Sequence, residues 1–175
     1  IADGYGAQMI THFDLQGNLI NAFGGYGTEK DKFQNAHGIC LDQRFDKTPT
    51  LLITAREQQA VKRFSLGGVH QNTISFPGAN ICRPVIHNDK CYFSVLKSTG
   101  VTNQDSGFVM ILNEKNEVVS CPGASFNETA NGQSHYHQSL RLFQYPHDVC
   151  IDKDENIYVA QWNSGNTYPI KLERV

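Results

Sequence analysis

The sequence predicts an all-β fold made of repeated units of short antiparallel strands. Residues 36–42 (AHGICLD) and 146–152 (PHDVCID) share one frame, in which His follows a small residue or Pro and an apolar-Cys-apolar-Asp run begins two positions later. Each copy is followed by a turn-rich gap and an apolar segment, at residues 51–55 and 157–160. Segments of about five residues with alternating apolar positions are typical of strands. No segment has the pattern of an amphipathic helix.

The repeat unit consists of four strands, a to d. Strand a carries the His, strand b is apolar, and strands c and d form a hairpin. The three c–d turns contain Gly17, Gly68 and Asn116, and these residue types tolerate the positive φ that tight hairpin turns need. The predicted strands are 1–3, 9–14 and 19–23 in the first unit; 37–42, 51–55, 60–65 and 69–74 in the second; 81–86, 91–95, 108–113 and 117–121 in the third; and 148–152, 156–160 and 168–172 in the fourth.

One segment, residues 124–143, interrupts the repeat between the third and fourth units. It is rich in Asn, Ser, Gly and Gln, which favours a long inserted loop on the surface. His135 and His137 lie in this loop, and we expect them to be solvated rather than to bind a ligand.

Four-stranded units repeated around an axis form a β-propeller. The sequence therefore predicts about four blades of a single partial propeller domain that spans residues 1–175, with the blades at 1–33, 34–75, 76–123 and 144–175. The first blade lacks strand a and the last lacks strand d, so we expect further blades or a partner chain to complete a larger ring. Because the first residue falls within a predicted strand, we also expect a processed or partial chain.

Composition excludes two function classes. The chain has 15 Lys and Arg against 17 Asp and Glu, a net charge of −2, which argues against a nucleic-acid partner. No apolar run approaches the roughly 20 residues that a membrane span needs. The five cysteines include no CxxC pair. Cys40 and Cys150 occupy matched strand positions, and we predict that they are small buried apolar residues rather than a disulfide.

Several motifs occur in a fixed order along the chain. They are IADGYG at residues 1–6, FGG at 23–25, His37, Arg56-Glu57 and Pro146-His147-Asp148. Together they resemble the NHL-repeat six-bladed β-propellers. Within that group the chain is similar to the peptidyl-α-hydroxyglycine α-amidating lyase catalytic core, from residue 1 to about residue 172. The resemblance implies that the four blades belong to a six-bladed ring.

The lyase family binds zinc through three histidines at the propeller centre. The resemblance implies that His37 and His147 are two of these ligands, whereas the third would lie upstream of residue 1. The active-site tyrosine of the family corresponds to Tyr5, and its substrate-binding arginine corresponds to Arg56. Asp148, beside the last zinc histidine, is expected to orient the site or to bind a structural cation such as calcium.

Three further residues are candidates to line the central pocket. Trp162 and Asn163 follow strand b of the fourth unit, and Tyr145 stands where the lyases place a methionine. Packing within the blade is the alternative role for Trp162 and Asn163.

The lyase reaction breaks a carbinolamide C–N bond and yields a peptide amide and glyoxylate. A base must take the hydroxyl proton, and a tyrosine does so near neutral pH only when a cation stabilises its phenolate. Arg56 or zinc could provide that charge to Tyr5. An arginine also suits the terminal carboxylate of the substrate, because it donates two parallel hydrogen bonds. Zinc with three neutral His ligands keeps one position for the substrate.

Less specific roles remain for the same residues. Each His could hydrogen-bond the backbone of a neighbouring blade, Tyr5 could be a buried aromatic, and Arg56 could pair with Glu57. From the resemblance we expect a zinc-dependent lyase acting on a peptide C-terminus or a small molecule. Alternatively, it is a non-catalytic propeller that binds a ligand or protein, or a structural module of a larger assembly. The resemblance favours an extracellular or periplasmic location.

Overall fold

The structure is a computed structural model that describes residues 1–45, 48–99, 107–128, 132 and 134–175. Within these residues the chain forms fifteen β-strands and a single turn of 3-10 helix at Arg56–Gln58, so the all-β prediction is confirmed. The strands are β1 (Met9–Phe13), β2 (Leu19–Gly24), β3 (Ala36–Asp42), β4 (Thr50–Ala55), β5 (Ala60–Ser65), β6 (His70–Ser75), β7 (Ala79–His87), β8 (Lys90–Ser98), β9 (Phe108–Leu112), β10 (Val118–Ser120), β11 (Ala124–Glu128), β12 (Ser134–Gln138), β13 (Pro146–Ile151), β14 (Ile157–Gln161) and β15 (Ile170–Leu172).

The described strands form five antiparallel sheets, and within each sheet neighbouring strands are consecutive in the chain. Strands β3–β6 and β7–β10 form two four-stranded sheets that correspond to the second and third predicted units. Strands β1–β2 form a hairpin, β11–β12 a second hairpin, and β13–β15 a three-stranded sheet. No helix in the described part of the chain has the length and apolarity that crossing a membrane requires.

The predicted hairpin turns have the expected backbone conformation. Gly17 has φ 86°, Gly68 has φ 85° and Asn116 has φ 61°. Glycine reaches this region without steric penalty, and Asn tolerates it better than most residues do. The residue types of the turns therefore predicted the c–d hairpins correctly.

Two predictions about strands were wrong. Residues 1–3 form no strand; an isolated bridge joins Ala2 to Ile10 instead. The predicted loop at 124–143 contains the β11–β12 hairpin, although residues 129–131 and 133 lie outside the described part of the chain. Tyr136 of β12 is buried, and its backbone N–H donates to the carbonyl of Pro77 at 2.8 Å. Contact with the β7–β10 sheet therefore holds this polar segment in an extended conformation.

Apolar side chains pack between successive sheets. Phe33 and Ile53 belong to a cluster between the β1–β2 hairpin and the second sheet. Leu52 and Phe93 belong to a larger cluster that joins the two four-stranded sheets. Val149 belongs to a third cluster, which joins the β7–β10 sheet to the last sheet. The sheets thus stack in chain order, and β7 contacts both β3 and β13.

Candidate metal and anion site

Three neighbouring strands bring two histidines and one cysteine together. His37 is the second residue of β3, His147 is the second residue of β13, and Cys82 lies on β7 between them. One potential ligand atom from each side chain lies within 4.8 Å of the other two. The rings of His37 and His147 have centroids 4.9 Å apart, with 71° between the ring planes. We call this group the His–Cys–His cluster.

The residues that follow the cluster show why the three strands align here. A Cβ built on Gly38 would come within 2.5 Å of the Arg83 Cα, so β3 can approach β7 this closely only with glycine at position 38. On the other side, the Arg83 guanidinium donates three bonds to the Asp148 carboxylate, at 3.2, 3.1 and 3.0 Å. Gly38, Arg83 and Asp148 thus occupy equivalent positions on adjacent strands, one residue beyond the cluster.

Sequence reasoning missed Cys82, although the signal was present. Ile81-Cys82 occupies the same place in its unit as Ala36-His37 and Pro146-His147 do in theirs. A search for repeated histidines passes over this position because the residue type changes. Cys is nevertheless a metal ligand in proteins, as His is.

Both histidines are neutral in this environment. Burial lowers the pKa of His37 to about 4, and the positive charge of Arg56 and the neighbouring His147 add to the shift. Burial and Arg56 also lower the pKa of His147, although Asp148 opposes them. The Nδ1 atom of His37 is buried and has no hydrogen-bond partner in the described part of the chain. Neutral imidazoles of this kind are ligands for transition metals.

The Cys82 side chain is fully buried. Burial raises the pKa of its thiol, and the nearby Arg56 charge offsets only part of this effect. Among the described residues its thiol donates a long bond to the Pro146 carbonyl oxygen at 4.0 Å, and Arg56 and Ser94 are also within hydrogen-bonding reach. Metals bind the thiolate, so a bound cation would displace the thiol proton.

Arg56 lies beside the cluster with a guanidinium that is almost completely buried. The residue is 5% exposed and begins the 3-10 turn after β4. Its Nη2 donates to the Tyr5 hydroxyl oxygen at 2.7 Å. Its Nε and Nη1 are buried without a hydrogen-bond partner among the described residues, and a Glu57 carboxylate oxygen is 3.8 Å from Nε. A buried cation with free donors is a strong binding group for a carboxylate.

Tyr5 connects Arg56 to the cluster. Its ring meets that of His37 edge-on, with centroids 5.9 Å apart. The residue is 79% exposed, so the alternative of a buried aromatic is wrong. Tyr5, Arg56, His37 and His147, all predicted as site residues, therefore lie in one continuous group. A substrate could reach the Tyr5 hydroxyl from solvent.

The remaining predicted residues lie at the same end of the last sheet as His147. Tyr145 directly precedes β13 and Trp162 directly follows β14. Their rings meet edge-on, with centroids 5.7 Å apart. The backbone N–H of Trp162 donates to the backbone carbonyl of Tyr145 at 2.9 Å. Asn163 comes next, with φ 50°. These contacts show packing between two of the three residues, and their role in a pocket stays a prediction.

The Asp148 carboxylate has two partners of its own. Both oxygens accept bonds from Arg83, and one also accepts from the Val149 backbone N–H at 2.9 Å. The two side chains of the ion pair are 47% and 40% exposed. Its predicted role, orienting the site or binding a cation such as calcium, stays a prediction.

Comparison with known proteins gives a fold but no function. No protein-family model and no curated protein matches the sequence. A solved structure, described as a protein of unknown function from Bacteroides caccae, is similar with a TM-score of 0.60 over 94% of this chain. Sequence identity is 11%, so the likeness shows a shared fold alone. The present chain spans about half of that protein, 55% of its length.

Proposed function

We propose that the stacked sheets are blades of an NHL-type β-propeller whose centre holds a zinc-dependent lyase site. The proposed reaction cleaves peptidyl-α-hydroxyglycine to a peptide amide and glyoxylate. The order of the sheets supports a propeller, because each packs on the next and β3, β7 and β13 lie side by side as innermost strands would. The β11–β12 hairpin is then an insertion between two blades.

The convergence of His37 and His147 carries the proposal. These residues are far apart in the chain, and their ring centroids are 4.9 Å apart. Arg56, whose Nε and Nη1 have no hydrogen-bond partner among the described residues, and Tyr5 lie directly beside them. Two neutral imidazoles next to a buried cation and a phenol suit a reaction that binds a carboxylate and removes a hydroxyl proton.

Each residue of this group has a proposed role in the reaction. Arg56 binds the carboxylate of the hydroxyglycine end, and its Nη2 also holds the Tyr5 oxygen in place. The Tyr5 phenolate takes the proton of the α-hydroxyl. The oxygen electron pair then forms the aldehyde C=O while the C–N bond breaks and its electrons go to nitrogen. The Tyr5 hydroxyl then returns this proton to the nitrogen, which gives the amide and restores the base.

A zinc ion held by His37 and His147 would supply a Lewis acid for the substrate oxygens. The two imidazoles are suited to this because both are neutral and partly buried.

The test is glyoxylate release from N-benzoyl-α-hydroxyglycine by the zinc-loaded full chain. Tyr5→Phe should lower kcat by about 10²–10⁴-fold, the usual contribution of a positioned base. Arg56→Ala should chiefly raise KM. Tyr26→Phe is the matched control, because Tyr26 is similarly exposed at 74%, and it should leave the rate unchanged. Full turnover by Tyr5→Phe, or no turnover by the wild type, would reject the lyase.

The unpaired donors of Arg56 also favour a second candidate, a propeller that binds carboxylates without turnover. An N-acylglycine lacks the α-hydroxyl and cannot react, so its binding can be measured by calorimetry. Binding that is lost in Arg56→Ala, together with no glyoxylate release, would favour this candidate over the lyase.

A further inference from the structure

We propose that Cys82 is the third protein ligand of the metal, which makes the centre a His–Cys–His zinc site. This inference rests on the metal centre of the proposed function and assigns its ligand set. It differs from the three-histidine set that the family resemblance implies, because the third donor comes from β7 within this chain.

The distances allow all three side chains to bind one ion. The potential ligand atoms lie within 4.8 Å of one another. Tetrahedral zinc, with Zn–S near 2.3 Å and Zn–N near 2.0–2.1 Å, places its ligand atoms about 3.3–3.6 Å apart. Closing the remaining gap takes shifts of roughly an ångström, which side-chain rotation can supply. The backbone of β3, β7 and β13 can stay in place.

The donor atoms are not committed to other strong interactions. The Cys82 thiol donates a long bond to the Pro146 carbonyl and lies near Arg56 and Ser94. The His37 Nδ1 is buried without a hydrogen-bond partner in the described part of the chain. A buried polar atom without a partner is unfavourable, and a metal ion would remove this penalty.

A second buried cysteine shows what packing alone looks like. Cys91, on β8, is as fully buried as Cys82. Its side chain packs in an apolar cluster that includes Phe93 and Leu112 and lies near Asp42 and Arg44. Cys82 instead adjoins two imidazoles. The contrast singles out Cys82 as the thiol placed for coordination.

The chemistry of the donor set selects the kind of metal. One thiolate and two imidazoles favour zinc and related transition metals over calcium and magnesium, which prefer oxygen ligands. The thiolate also offsets part of the positive charge of the ion beside Arg56. Three protein ligands leave one coordination position for water or substrate, as in catalytic zinc sites.

Cobalt(II) titration of the full chain tests the assignment, because cobalt replaces zinc and reports its ligands. We expect one equivalent to bind and to give a thiolate-to-cobalt charge-transfer band in the near ultraviolet. Cys82→Ser should abolish this band and weaken zinc binding by more than about 100-fold, beyond the loss typical of outer-sphere partners. Cys91→Ser, the equally buried control, should keep the band.

Two results would overturn the assignment. One is stoichiometric cobalt binding without a thiolate band, and the other is a band that persists in Cys82→Ser. If Cys82→Ser does not fold, X-ray absorption of the zinc-loaded wild type decides, with one sulfur near 2.3 Å expected and none contradicting it. A sulfur-ligated metal without glyoxylate release would reject the lyase alone, whereas a sulfur-free metal with turnover would reject Cys82 alone.

Discussion

Strands β3 and β13 have nearly the same sequence pattern but different surroundings. Both place a His at their second residue, and β7 lies between them. Beyond that residue the surroundings of the two strands differ, because β3 belongs to a four-stranded sheet and β13 to a three-stranded one. The shared pattern therefore accounts for the position of the histidines, while the neighbouring sheets determine what the other matched residues do.

The matched aspartates show the difference most clearly. The Asp42 side chain is completely buried and forms ion pairs with Arg44 at 3.0 Å and Arg63 at 2.8 Å. The Arg44 guanidinium also donates a hydrogen bond to the side-chain oxygen of Asn116, in the turn of the next sheet, at 2.9 Å. Asp152 instead accepts bonds within its own turn, from the backbone N–H and side-chain amide of Asn156, both at 2.9 Å. Asp42 joins two sheets, and Asp152 shapes one hairpin.

Among the variants that test this difference, Asp42→Ala should have the largest effect on the free energy of unfolding. Removing one partner of a buried ionic group leaves two arginines without their counter-charge, which should destabilise the protein by about 3–5 kcal/mol. Asp152→Ala, the matched control, should destabilise it much less, because its bonds are local and close to solvent. Urea unfolding of both variants measures the difference. Equal losses would show that Asp42 does not join the sheets.

The next largest effect is expected at the positions after the histidines. Gly38→Ala places a methyl group within 2.5 Å of the Arg83 Cα, so β3 and β7 must separate. Overpacking of this kind costs about 1–3 kcal/mol. Asp148→Ala removes a half-exposed ion pair and should cost less than about 1 kcal/mol. Thermal unfolding compares the two, and a Gly38→Ala protein as stable as the wild type would contradict the close approach.

Lowering the pH should reduce the stabilising contribution of both aspartates. The bonds from Asn156 lower the pKa of Asp152 to about 2. Burial opposes the shift at Asp42, but the bonds and charges of Arg44 and Arg63 still lower its pKa below 3.8. A carboxyl with a lowered folded-state pKa stabilises the protein above its unfolded pKa, and this stability is lost as the pH falls through the folded value.

Stability should therefore decline from about pH 4 to about pH 2. In Asp152→Asn the decline should be shallower, since one of the titrating groups is gone. Melting temperatures across this range provide the measurement. A decline that is unchanged in Asp152→Asn would argue that Asp152 has the same pKa in the folded and unfolded states.

The smallest effect on the fold is expected from alkylation of the matched cysteines. Cys150 is exposed, so its predicted burial was wrong, whereas Cys40 is half-buried and burial raises its pKa to about 12. Both are free thiols. Iodoacetamide should modify Cys150 well before Cys40 without loss of structure, which mass spectrometry of peptides can locate. Faster reaction of Cys40 would contradict the difference in exposure.

Local features of the fold could be predicted from the sequence. The turn residues predicted the c–d hairpins, and the repeat correctly predicted that His37 and His147 come together. It could not indicate which contacts form between sheets. The β11–β12 hairpin is polar and depends on packing by Tyr136, and the exposure of Cys150 depends on its neighbours. Cys82 was missed because equivalent positions in a repeat can change residue type.

Zinc anomalous diffraction from crystals of the zinc-loaded protein tests directly whether His37 and His147 bind one metal ion. We expect one strong peak between β3, β7 and β13, within bonding distance of His37 and His147. A zinc peak bonded to other residues alone, or no peak at this position in zinc-saturated crystals, would contradict it.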